Sequence, residues 1–69
     1  MSAELHRALR AQVDRILAEL DAAHRILSDA LAGAHASDDE NACDAYFALL
    51  ERVCCICDAT RFLASDLKQ

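Results

Sequence analysis

The chain has no proline, no tryptophan and one glycine, Gly33, in 69 residues. Proline and glycine interrupt regular structure more than any other residues. Their scarcity excludes a turn-rich β fold and leaves two long segments on either side of "GAHASDDEN". Basic runs are missing as well, with 7 Lys and Arg set against 12 Asp and Glu for a formal net charge of −5. Nucleic-acid binding needs a basic footprint that displaces phosphate counterions, and an anionic membrane repels a chain of this sign. No apolar stretch approaches the roughly 20 residues of a bilayer span, and "MSAELHRALR" holds no apolar signal-peptide core. The expectation is a cytoplasmic chain whose 4 cysteines stay reduced.

What is present is helical periodicity. Leu5, Leu9, Val13, Ile16, Leu20, Ala23, Leu27 and Ala30 recur at steps of three and four, which is a heptad seam. Ser2 is placed to cap this segment, and Gly33 to end it in the left-handed conformation. In the second segment "SDDE" reads as a capping box, with Ser37 at the cap and Glu40 reaching back. Its core stripe is expected at Ala42, Tyr46, Leu49, Val53, Ile56, Thr60, Leu63 and Leu67, with Leu50, Cys57 and Ala64 on the shoulder. The predicted fold is all-α: one domain over 1–69, with helices at about 3–32 and 38–67 joined by a loop at 33–37 into an antiparallel hairpin. A core this thin rarely supplies more than about 3–5 kcal/mol by itself. The hairpin is therefore expected to be completed by a partner, or by a second copy in a four-helix bundle.

The cysteines test for chemistry. Cys54 and Cys57 are i, i+3 neighbours that could offer two thiolates, and they are the only weak metal candidates. A structural zinc needs four ligands. Cys43 lies one long step of about 16 Å back along the axis, and pairing about a loop centred on His35 sets Cys54 opposite Ile16 and Cys57 opposite Val13. The same pairing puts His24 near Tyr46 and Cys43, and His6 near Ala64. A reactive Cys-x-x-Cys sits at a helix N-terminus, where the dipole lowers the thiol pKa, whereas this pair is mid-helix among Val53, Ile56 and Phe62. Cysteine as a small apolar residue accounts for the pattern. No Ser-His-Asp set, glycine-rich phosphate loop or carboxylate pair on a core face is visible, and the arginines and third helix of a helical chorismate mutase have no counterparts. No catalytic residue, metal or cofactor is expected.

The residues left over point to binding. Phe47, Ala48, Cys54, Cys55, Ala59 and Phe62 lie off the core stripe of the second helix, and Cys55 and Phe62 stack on one line seven residues apart. An aligned stripe of aromatic and small residues marks a surface that something covers.

The closing "FALLERVCCICDATRFLASDLK", with Leu50 and Glu51 followed by small apolar residues and then Ala64, Asp66, Leu67 and Lys68, resembles the small cytoplasmic E component of type III secretion needle systems, the YscE/PscE family. "AELHRALRAQVDRI" is similar to the family's first helix in pattern alone, and the cysteine cluster departs from the family. The resemblance implies a helical hairpin acting as a non-enzymatic co-chaperone. It implies a tetratricopeptide-like helical chaperone as partner and, through that chaperone, a needle subunit held unpolymerised in the cytosol. A homodimeric four-helix-bundle protein is the alternative the residues leave open.

Overall fold

A computed structural model describes residues 2–68 of the chain. Two helices fill it: α1, Ala3–Ala36, and α2, Glu40–Leu67, packed against each other as a hairpin, with no strand among the described residues. The molecule is a rod with Cα extents of 53 × 15 × 12 Å.

α1 starts where the composition places it. The Ser2 hydroxyl accepts the Leu5 amide at 3.1 Å, and Glu4 sits in the first turn, satisfying one orphan donor and complementing the helix dipole. The end differs from expectation. Gly33 lies inside the helix without a positive φ, and Asp38 takes the left-handed conformation instead, at φ 54°. Around it the Asp39 amide donates to the Ala34 carbonyl (3.0 Å) and the Asp38 amide to the His35 carbonyl (3.2 Å). These are the two bonds of a Schellman motif, with aspartate where glycine is usual. The helix runs on because Ala34, His35 and Ala36 carry no penalty that would stop it, and Ala34 is buried. One further turn and that contact offset the cost of an interior glycine, about 1 kcal/mol.

Asp39 then serves twice. It closes α1, and its carboxylate accepts the Ala42 amide at 3.1 Å as the N-cap of α2. The cap is therefore Asp39 and not Ser37, which is the C-cap of α1. The link is only 37–39, so the helices pair about Asp38 and not about His35. Cys54 and Cys57 share a groove with Leu17, Asp21 and His24, and Cys43 lies by His35 with its Sγ 3.5 Å from the ring Nδ1.

The seam is narrow. Val13, Ala34, Cys57 and Leu67 are buried; Ile16, Leu20, Leu27, Tyr46 and Val53 are half-buried, as are Leu17, Leu31, Leu50, Thr60 and Ala64. Five expected seam residues lie outside it. Leu5, Leu9, Leu49, Ile56 and Leu63 are exposed, Ile56 by 52%. On α2 two heptads flank the shared line Tyr46–Val53–Thr60–Leu67: Leu49–Ile56–Leu63 on one side and Leu50–Cys57–Ala64 on the other. Hydrophobicity favours the first, but the fold packs the second. α1 brings half-buried Leu17, Leu20, Leu27 and Leu31 to the seam, and α2 brings buried Cys57 with half-buried Leu50, Thr60 and Ala64; alternating large and small side chains across facing positions is what lets two helices pack closely.

Gly33 offers the sharpest check. An added Cβ there meets nothing within 4 Å. Gly33→Ala is expected to stabilise the protein by about 0.5–1 kcal/mol, through helix propensity and a less flexible unfolded chain. That is a rise in Tm of roughly 2–8 °C for a chain of this size, read by circular dichroism. A fall in Tm means that Gly33, not Asp38, ends α1.

Candidate protein-binding faces

An antiparallel helix pair has two flanks and two backs. Residues displaced in the same rotational sense from the two halves of the seam emerge on the same flank. On one flank, Leu17, Ala18, Asp21 and His24 of α1 meet Cys54, Cys57, Asp58 and Arg61 of α2 around an open groove of about 490 Å³. It is a charged surface. Arg25 pairs with Asp21 at 2.9 Å and Arg61 with Asp58 at 3.6 Å, all largely exposed, so each pair is worth little, typically 0.2–1 kcal/mol. His24 Nδ1 lies 3.5 Å from the Ser28 hydroxyl. Cys54 and Cys57 both line the groove, yet among the described residues no three His, Cys, Asp or Glu side chains come together as a metal site. All 4 cysteines are free.

Cys43 sits on this same side nearer the loop, in a depression shared with His35, Asp38, Glu40 and Asp44. Its thiol is pushed above the ordinary value by desolvation first, then by Asp39, Asp44, Asp38 and Glu40. The neighbouring carboxylates and lost hydration disfavour the thiolate. Proximity to a histidine therefore does not make Cys43 a nucleophile at neutral pH.

The stripe read from the sequence is exposed at every position: Phe47, Ala48, Cys54, Cys55, Ala59 and Phe62. It divides between two surfaces. Cys54 belongs to the charged groove, with Phe47 rotated to the same flank. Ala48, Cys55, Ala59 and Phe62 form the outer back of α2, where Phe62 is 74% exposed beside Asp58, Arg61 and Ser65.

The opposite flank is where sequence reasoning fell short. Leu5, Leu9 and Ile26 of α1 and Leu49, Ile56 and Leu63 of α2 are all exposed there, with half-buried Ile16 and Ala23 between them. Gln12 and Glu19 of α1 and Arg52 and Asp66 of α2 bring polarity to its edges, Asp66 lying two heptads beyond Arg52. The seven-residue spacing of Leu49, Ile56 and Leu63 is the signal in the sequence, and it was assigned to the intramolecular seam. No described helix is long and apolar enough to cross a membrane. Comparison with known proteins returned no matching family model, no matching curated protein and no matching solved structure.

The raised thiol pKa has a direct readout. Peptide-resolved alkylation by iodoacetamide across pH is expected to give Cys43 a midpoint above that of an unstructured cysteine peptide measured alongside. Asp44→Asn is expected to bring it part of the way down, since one carboxylate opposing the thiolate is gone. A wild-type midpoint at or below the free peptide's contradicts this placement of Cys43.

Proposed function

We propose that the chain is a non-enzymatic binding module, in the form its family resemblance implies. It acts in the cytosol as a co-chaperone of type III secretion that binds and stabilises a tetratricopeptide-like helical chaperone. Through that chaperone it keeps a needle subunit from polymerising. The observation that carries the binding role is a large accessible surface in which large apolar side chains stand exposed. The folded chain exposes 5233 Å², against about 4,200 Å² for a compact monomer of its mass. Among the described residues eight large apolar side chains stand in that surface, 38–74% exposed, and about 1.5–3 kcal/mol attaches to burying such a side chain from full exposure, proportionately less from partial exposure.

The outer back of α2 is the face proposed for the chaperone. Cys55, Ala59 and Phe62, with Ala48 a heptad earlier, have the i, i+4, i+7 spacing by which a helix lies in an apolar groove. Stacked helical repeats present concave surfaces of this kind. Small side chains let the backbones approach closely, and Phe62 supplies a large anchor, the aromatic type that dominates binding hot spots. The open, solvent-exposed form of the charged groove favours binding over catalysis, since substrate sites usually enclose most of their ligand.

Co-expression with a tetratricopeptide-like chaperone encoded beside this chain is expected to yield a soluble 1:1 complex by size exclusion with light scattering. Phe62→Ala is expected to weaken that complex by about 1–3 kcal/mol, or roughly ten- to hundredfold in Kd, while leaving the Tm of the isolated chain within about 2 °C of wild type. No complex with wild type, or an equal loss of Tm and affinity, removes this reading.

A further inference from the structure

We propose that Cys54 and Cys57 of α2 form a two-coordinate site for a soft monovalent cation, Cu(I). The site lies on the groove flank, away from the Phe62 ridge. It goes beyond the chaperone reading and does not depend on it.

Spacing is the first ground. Side chains three apart on a helix hold their Cβ atoms about 5–6 Å apart. A disulfide needs a separation of about 3.5–4.5 Å, so an undistorted helix does not bring these two sulfurs to bonding distance. A single metal ion bridges a wider gap. At about 2.3 Å for each sulfur–metal bond, a linear sulfur–metal–sulfur unit spans about 4.6 Å, and it closes over one turn without bending α2. Both cysteines are free and line the same open groove. Cys54 is exposed and meets an incoming ion, whereas Cys57 is buried and is held in place by the packing of the seam.

The donor set selects the ion. Thiolates are soft ligands that favour Cu(I) and zinc, but zinc takes at least three protein ligands. Among the described residues no three His, Cys, Asp or Glu side chains come together. His24 lines the groove with its ring beside the Ser28 hydroxyl and does not complete such a set. The ligand count that excludes zinc admits Cu(I), a closed-shell ion that two thiolates in line satisfy. Asp21 and Asp58 are hard donors, each already paired with an arginine, so the sulfur–metal bonds supply the affinity. Binding exchanges two thiol protons for one Cu(I) and transfers no electron. The resulting dithiolate complex carries one negative charge, and Arg61, one turn beyond Cys57 in the same groove, is the cation placed to balance it. The other cysteines are placed differently. Cys55 projects about 100° away from Cys54, and Cys43 sits by His35, where lost hydration and the nearby carboxylates disfavour its thiolate.

Anaerobic titration of the reduced, intact chain with Cu(I), in competition with the chromogenic chelator bicinchoninate, tests this. One Cu(I) per chain is expected, with protons released on binding and a rise in Tm on loading. Cys54→Ser alters an exposed position and is expected to keep the helix content of wild type by circular dichroism. Its Cu(I) affinity is expected to fall by more than about 100-fold, beyond the 10–100-fold that loss of an outer-shell partner costs. The double variant Cys43→Ser/Cys55→Ser is expected to bind Cu(I) as wild type does. So is Phe62→Asp, which removes the chaperone anchor, so failure of this site and failure of the chaperone reading are separable. A wild type that yields all its Cu(I) to bicinchoninate overturns the proposal. So does a Cys54→Ser chain that binds as wild type does, a double variant that loses as much affinity as Cys54→Ser, or one Cu(I) shared between two chains in native mass spectrometry.

Discussion

Two helices side by side can shield only the line along which they touch, and every other feature of this protein follows from that limit. Among the described residues of this hairpin the line holds four buried ones, Val13, Ala34, Cys57 and Leu67, and none of the large side chains described is fully enclosed. Each helix is a cylinder about 10 Å across, so a single neighbour covers only part of its circumference. An apolar content of 55% cannot be hidden along so narrow a contact. The remainder is displayed on the outer surfaces of the two helices.

The distribution of that remainder is ordered. On α2 the line Leu50–Cys57–Ala64 turns into the seam and the more apolar line Leu49–Ile56–Leu63 does not, so hydrophobicity alone does not set which line is covered. Leu49, Ile56 and Leu63 are displaced to one flank by that choice, and they meet Leu9 and Ile26 arriving from α1 on the same side. Charge gathers on the opposite flank, where Asp21–Arg25 and Asp58–Arg61 pair within their own helices. The outer back of α2 keeps Cys55, Ala59 and Phe62. One rod thus presents an apolar flank, a charged flank and an aromatic ridge.

The cysteines belong to this packing economy. Cys57 is buried at a seam position, and Cys55 sits exposed on the ridge beside small neighbours. Cys54 faces the groove, and the Cys43 thiol is pushed above its ordinary pKa by lost hydration first and then by the acids around the loop. Their shared property is modest volume with an apolar surface, used in four different environments.

Much of this was legible in the residues. The all-α class, the hairpin and the Ser2 cap follow from local rules: absent proline, unbroken periodicity, a hydroxyl at a helix start. The exposed Phe62 ridge follows from the wheel of one helix. The end of α1 and the choice of seam did not follow. Gly33 is competent to stop a helix, but stopping competes with one more turn that buries Ala34, and the comparison depends on what α2 puts opposite. Leu49–Ile56–Leu63 and Leu50–Cys57–Ala64 are equally regular repeats on one helix, and only the volumes facing them across the seam distinguish the two. Periodicity within a chain therefore determined which residues form helices and which faces are apolar. Which face turns inward was decided by the fit between two helices, because packing depends on paired shapes that neither helix carries alone.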